Sequence, residues 1–507
     1  MSFFIAILPI LLLFVLMLGF KLSGHLSAFL TLVLTVLLAL FAAPDTSAAT
    51  VGWSFVEGAL KAIFPILIII LMAIFSYRIL VESGKIETVK AQFTSFTDDK
   101  GAQVLMLVWG FGGLLEGMAG FGTAVAIPAA ILIGLGFKPM FSALVSLIGN
   151  TVATGFGAVG VPVTTLCNEV AGSGGPTAEQ LCEISSFAVL QLSPLFILLP
   201  FIILTLTDRK AVGKNICLAL WTGLISLGVQ YACAHYLGAE TPAIVGSIAA
   251  IAAIALYARL FLPKAEKRED APKFTAKETF QAWSVYLFIL ALVVLSGGLF
   301  PPVSQFLKTH LVSTVHLPVI DSTFKFAWIG NAGFMLFVGA TLGGLVQGLS
   351  PKQLAVLLAK TIVDLRKTVL TLISLIAIAS IMNYSGMIAA IAGSLVAVTG
   401  SFYPFFAPLI GAIGTFVTGS DTSSNILFGK LQANVAGELG LTGSDANWLI
   451  AANTTGATGG KMISPQSIAI ATASCHMEGK DGDILRSALP YALLYIIIGG
   501  LMVYFGL

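Results

Sequence analysis

The chain has 507 residues, of which 57% are hydrophobic and only 10% charged, and its mean hydropathy is +0.98. Such a composition belongs to polytopic membrane proteins and excludes an ordinary soluble domain. The formal net charge of +2 carries no message for nucleic acid or for acidic partners.

Long apolar segments recur from Phe3 to Leu507, many of them long enough to cross a bilayer as helices. Residues 3–20 form the first. That run is too long, and too poorly followed by small residues, for a cleaved signal, so it reads as a first span. Segment 26–43 comes next, then a loop at 44–52 with no basic residue. The loop 77–100 carries Arg78, Lys85, Lys90 and Lys100, and 207–214 carries Arg209, Lys210 and Lys214. Basic loops face the cytoplasm, which leaves the acidic, Gly-rich stretch 167–186 outside. Further clear segments are 187–206, 284–300 and 487–506. The most hydrophilic stretch, PKAEKREDAPKFTAKET at 263–279, falls near the midpoint. It divides the chain into an N-terminal transmembrane half (1–262), a cytoplasmic linker (263–282) and a C-terminal transmembrane half (283–507). About 12 to 14 segments that cross or dip into the membrane are expected.

The two halves share a motif. NTVATGFGAVGVP runs from Asn150 to Pro162 and NTTGATGGKMISP from Asn453 to Pro465, each with Gly seven and Pro twelve residues after the Asn. Upstream of each lies a second glycine-bracketed polar patch, EGMAGFGT at 116–123 and TGSDTSSN at 418–425. Two signals in the same order, one set per half, favour a duplication. In hydrocarbon every backbone N–H and C=O needs a partner, so interrupted helices survive only inside protein or along a wet cavity. Paired Gly/Pro-interrupted segments in two halves therefore point to a transporter binding site near mid-membrane. Helix N-termini there offer N–H groups and a positive dipole end to an anion. The expected fold is an all-α polytopic membrane protein of two inverted-repeat halves with broken or re-entrant helices. The run 452–467 is expected to interrupt its helix because the freed ends bind the ligand.

The substrate candidates are the polar residues of these patches: Lys461, Asn150, Thr151, Asn453, Thr454, Thr422, Ser423, Ser464 and Gln466. A charge at mid-bilayer costs about 2.5–3.5 kcal/mol on insertion scales, tolerated when it is paired or functional. Lys461 either snorkels to the interface or holds a substrate carboxylate, pairing with Asp421 when the site is empty. Asp421 is a helix cap or else a proton carrier or coupling-cation ligand. Glu116, following VLMLVWGFGGLL, is a boundary charge between helices or a proton carrier. The proton-coupling candidates are thus Glu116 and Asp421.

Other features exclude alternatives. No GxxxxGK[ST] motif is present, so this chain does not drive transport directly with nucleotide. The five cysteines show no CxxC and the histidines no metal pattern, so neither cofactor nor metal is expected. No nucleophile–base constellation suggests an enzyme, and no sustained polar helix face suggests a channel. Cys167 and Cys182 flank one outside loop, which leaves a disulfide or two thiols as alternatives.

GFGTAVAIPAAILIGLGFKP (120–139), NTVATGFGAVGVP, TGSDTSSNILFG (418–429) and GKMISPQSIA (460–469) resemble the L-lactate permease family, in order and across most of the chain. The resemblance implies a bacterial inner-membrane symporter of L-lactate and related 2-hydroxy monocarboxylates such as glycolate, coupled to protons. Its partners would be the small anion, protons and the lipid bilayer. The two Asn-Thr turns are similar, at the level of fold alone, to ion-coupled carboxylate transporters with re-entrant hairpins. Asp, Ser, Thr and Asn oxygens also suit sodium, so a Na+-coupled small carboxylate transporter is the alternative.

Overall fold

The computed structural model describes residues 3–507 apart from 21, 44–45, 95–96, 119, 121, 172–174, 263–273, 297–299 and 478–479. Among the described residues nine helices are long and apolar enough to cross a membrane, or ten when one bent pair counts as a span. That pair, Ala178–Gln191 and Ser193–Thr207, bends by 44°. Four shorter apolar helices, Phe3–Met17, Thr123–Gly134, Pro139–Gly149 and Ala332–Val346, stand beside them. The protein is a polytopic helical membrane protein with a broken helix pair.

The all-α expectation needs one correction. Strands Val312–Leu317 and Ser322–Ala327 pair antiparallel, with Val315 opposite Phe324. The run VSTVHL–PVID–STFKFA alternates with period two around a turn in which Asp321 takes φ 46°, a hairpin pattern. Phe326 and Trp328 close its end against Phe64, with ring centroids 5.3 and 5.6 Å away.

Most of the expected linker, 263–273, lies outside the described residues. Its remainder is partly helical, because helix Ala276–Ser296 starts earlier than hydropathy suggests. A reciprocal cap explains the start: Thr275 N donates to Glu278 Oε2 (2.8 Å) and Glu278 N to Thr275 Oγ1 (3.2 Å).

Two hairpins turn inside the protein. Lys100–Met118 returns as Thr123–Gly134, and Tyr403–Thr418 returns as Asp421–Glu438. Gly122 (φ 85°) and Gly419 (φ 72°) make the left-handed turns at the tips. Each hairpin is followed by a helix broken part-way. Pro139–Gly149 passes through Asn150 and the turn Thr151–Thr154 into Gly157–Val170. In the other half Gly443–Lys461 stops, and Pro465–Ser474 starts after a three-residue joint. The sequence motifs fall on these tips and breaks. The backbone can turn here because it is enclosed by protein: Lys100–Met118 is 94% buried.

The stretch 452–467 differs from its expectation. It stays helical to Lys461 and breaks only at Met462, Ile463 and Ser464. Its glycines serve close packing. A Cβ on Gly456 would lie 1.6 Å from the Pro408 carbonyl oxygen, and one on Gly460 would lie 2.2 Å from that of Ala412. Helices Gly443–Lys461 and Tyr403–Thr418 thus touch backbone to backbone, the small-residue packing that membrane helices use in place of a hydrophobic drive.

Ion pairs mark one end of the bundle. Arg78 Nη2 meets Asp364 Oδ2 at 2.8 Å, and Lys214 Nζ meets Asp99 Oδ2 at 2.7 Å. Helix Arg366–Tyr384 runs away from this basic end for 19 residues, about 28 Å at 1.5 Å per residue.

Candidate functional site

Both tips and both breaks converge on one cavity of about 300 Å³. The first hairpin contributes Gly120 and Gly122, the second Thr418 to Ser423. Gly157 and Ala158 come from the first break, Lys461 and Gln466 from the second. Lys367 and His25, each the second residue of its helix, also line it.

Lys461 does not snorkel outward. Its Nζ lies 2.6 Å from Glu116 Oε1, with side-chain exposures of 12% and 2%. The expected pairing with Asp421 is replaced by this one, which joins residues 345 positions apart. Lys461 ends its helix, where the negative end of the dipole favours a cation. Glu116 is framed by glycine: a Cβ on Gly157 would lie 2.8 Å from Glu116 Oε1. Its second oxygen, Oε2, is buried and has no hydrogen-bond partner among the described residues.

Asp421 is not the cap of its helix. Ser420 holds that position, its hydroxyl accepting from Ser423 N. Asp421 occupies the first turn, where the dipole favours a carboxylate. It accepts from Thr454 Oγ1 at 3.0 Å and from Asn425 Nδ2 at 3.1 Å. Asn425 also donates to the Pro162 carbonyl (3.0 Å), tying the second hairpin to the first break.

Among the residues singled out in the sequence, Glu116, Asp421, Thr422, Ser423, Lys461 and Gln466 line the cavity. Asn453 and Thr454 stand behind it. Asn453 donates to Asn425 Oδ1 (2.8 Å) and Thr454 braces Asp421, so both hold lining residues in place. Ser464 caps helix Pro465–Ser474 by accepting from Ser467 N at 3.2 Å. Thr151 donates back to the Ile148 carbonyl at 2.8 Å. Asn150 is buried beside the lower part of Lys461, its Oδ1 without a partner among the described residues. Thr154, not singled out in the sequence, also lines the cavity.

The match to a known family decides the assignment: the model of the L-lactate permease family covers residues 2–506. The chain belongs to that family. It is 38% identical over 446 residues to an L-lactate permease of Streptococcus iniae, covering 86% of this chain and 91% of the relative. It is 33% identical over 546 residues to the glycolate permease of Escherichia coli (strain K12), covering 99% and 95%. The crystal structure of the YdaH transporter of Alcanivorax borkumensis shares the fold, with a TM-score of 0.54 at 12% identity, over 95% of this chain and 97% of that one. The protein is a multi-pass membrane permease and not an enzyme.

The permease has a second polar cavity, of about 570 Å³, that sequence reasoning missed. Glu57, Lys61, Glu169 and Lys430 line it, beneath the β-hairpin. Glu57 binds Lys61 at 3.4 Å and accepts from Ser380 (2.5 Å), Ser322 (2.9 Å) and Tyr384 (3.3 Å). A signal was available: Glu57 and Lys61, spaced i,i+4, sit within the 35-residue apolar span Ala48–Glu82. No disulfide joins Cys167 to Cys182; Cys167 is buried within Gly157–Val170.

Proposed function

We propose that this permease takes up L-lactate and related 2-hydroxy monocarboxylates such as glycolate by proton symport across the bacterial inner membrane. The observation that carries this reading is the buried Lys461–Glu116 pair on a cavity built from both tips and both breaks. The relatives named for lactate and glycolate supply the substrate class.

The geometry suggests how anion and proton are coupled. A substrate carboxylate that takes Lys461 displaces Glu116. An unpaired carboxylate in a dry site costs several kcal/mol, and taking up a proton removes that charge. The anion and the proton therefore enter together, and the pair re-forms when both leave. Thr422, Ser423 and Gln466 line the same cavity and offer donors and acceptors for the 2-hydroxyl and the second carboxylate oxygen. Asp421, braced by Thr454 and Asn425, is the second candidate for the proton. The paired tips and paired breaks are the basis for reading 1–262 and 283–507 as two inverted halves joined by a cytoplasmic linker.

Uptake of labelled lactate into proteoliposomes, with pH and Na+ gradients imposed in turn, tests the proposal. Accumulation driven by an inside-alkaline gradient without sodium is expected. Accumulation that requires a Na+ gradient would establish the sodium alternative, and failure to take up lactate or glycolate under any gradient would retire the substrate class.

A further inference from the structure

The cavity under the β-hairpin, called the outer one for its distance from the basic end, holds charge that the Lys461 cavity, the inner one, does not explain. Glu57, on the apolar span Ala48–Glu82, and Glu169, on helix Gly157–Val170, are 4% and 3% exposed. Glu57 is fully satisfied, but Glu169 Oε1 has no hydrogen-bond partner among the described residues. Lys430 faces Lys61, Glu57 and Glu169 at longer range and makes no direct ion pair among the described residues. Three lysines (Lys61, Lys325 and Lys430) and four carboxylates (Glu57, Glu169, Glu240 and Asp321) thus share one space, and Lys430 makes no direct ion pair among the described residues. Intramembrane charges of this kind face ligand pathways or each other.

The position of the cavity gives it meaning. Lys367 lines the inner cavity and Tyr384 the outer one, yet both belong to helix Arg366–Tyr384. The 17 residue steps from one to the other span about 26 Å, so the cavities open toward opposite ends of one spanning helix. The wall between them is one residue thick on each of two segments. Ala158 and Ile70 face the inner cavity, while Val159 and Ile69 face the outer. Within that wall the backbone is left-handed at Ala158 (φ 44°), Val159 (φ 59°) and Gly160 (φ 76°).

We propose that the outer cavity is a second station for the transported anion: a small monocarboxylate held between Lys61 and Lys430, under the β-hairpin. The hydroxyls of Ser380 and Tyr384 bound the same space and supply donors once Glu57 yields them. The station is separate from the Lys461 site, so an anion occupies it without that lysine. The ligand class rests on the proposed function.

The experiment uses full-length protein purified in detergent, with Asn383, which lines the outer cavity, replaced as Asn383→Cys. The rate of its modification by a thiol reagent is read with and without L-lactate, against the parent protein, in a background that also carries Lys461→Ala. Occupancy slows modification by a factor of 1 + [L]/Kd, roughly threefold at twice the dissociation constant. Slowing is expected with Lys461→Ala and is expected to vanish when Lys430→Gln is added, a change that leaves the Lys61–Glu57 pair in place. Equal rates with and without lactate in the Lys461→Ala background would overturn the station. If the wild-type protein takes up neither lactate nor glycolate, the substrate reading fails separately. The station is then scored with acetate as the probe: slowing keeps it and equal rates sink it.

Discussion

The two helix breaks bring different chemistry to one cavity. The first, at Gly157–Gly160, offers a left-handed backbone and almost no polar side chains. Its glycine leaves room for the Glu116 carboxylate, and its Val159 holds a φ that a β-branched residue rarely adopts. The second, at Met462–Ser464, is a conventional junction: one helix ends in Lys461, and the next begins with a Ser464 cap and Pro465 in its first turn. One half shapes the space at its break, and the other supplies the cation at its own. The difference shows why a shared motif need not mean shared roles, and why Lys461 has no counterpart in the first motif.

This contrast is most easily broken at the charge. Lys461→Ala is expected to lower uptake of labelled lactate by about 100-fold, since truncating one partner of a buried charge pair in a binding site costs about 2–5 kcal/mol. Lys461→Arg is expected to be nearly as poor, because a planar fork does not replace a compact ammonium. Unchanged gel-filtration behaviour would show that both variants fold, and normal uptake by the alanine variant at low lactate would remove Lys461 from the site.

Next comes the partner of that charge. Glu116→Gln is expected to abolish accumulation driven by a pH gradient while lactate exchange across the membrane continues. The same comparison with Asp421→Asn tells which carboxylate carries the proton. If both variants still concentrate lactate, the proton path lies elsewhere.

A change in the shaping half should reach the charge indirectly. Gly157→Ala places a methyl group 2.8 Å from Glu116 Oε1 and is expected to lower uptake about tenfold, the scale of a weakened charge-assisted hydrogen bond. Wild-type rates in this variant would mean that the pair tolerates displacement.

The smallest effect is expected at Val159→Gly. Val159 is 1% exposed, so losing its side chain costs about 1.5–3 kcal/mol and the entropy of glycine about 0.5–1, against relief of about 1–2 from the left-handed backbone, a net loss of about 1 kcal/mol. The midpoint of thermal unfolding in detergent should fall slightly, and a rise would show that the backbone strain at Val159 outweighs its side-chain packing.

Much of the inner site was legible because a bilayer penalises polar and helix-breaking residues. Glu116, Asp421, Lys461 and the glycine-bracketed patches stand out against apolar surroundings, and all of them meet at the cavity. Pairing was less legible, since nothing in the spacing of residues 116 and 461 says that they touch while 421 and 461 do not. The glycines of 452–467 are hard to read for a related reason. In sequence a glycine that turns a chain looks the same as one that lets two backbones meet, and only Pro408 and Ala412 reveal the second role. The outer cluster escaped because its members look ordinary one at a time: an i,i+4 pair, an acid near a loop and a lysine after ILFG. The β-hairpin was legible as alternation at 312–327 but was hidden by the prevailing helical composition.

The backbone contacts of Gly456 with Pro408 and of Gly460 with Ala412 have a mechanical consequence. Interlocked at that distance, the second hairpin and helix Gly443–Lys461 have no room to slide on each other. They must travel as one rigid body if the permease changes shape. Lys461 rides at the end of that body, and Glu116 belongs to the other half of the chain. Their ion pair is then a latch between two moving parts, and whatever opens it sets the machine free to turn over.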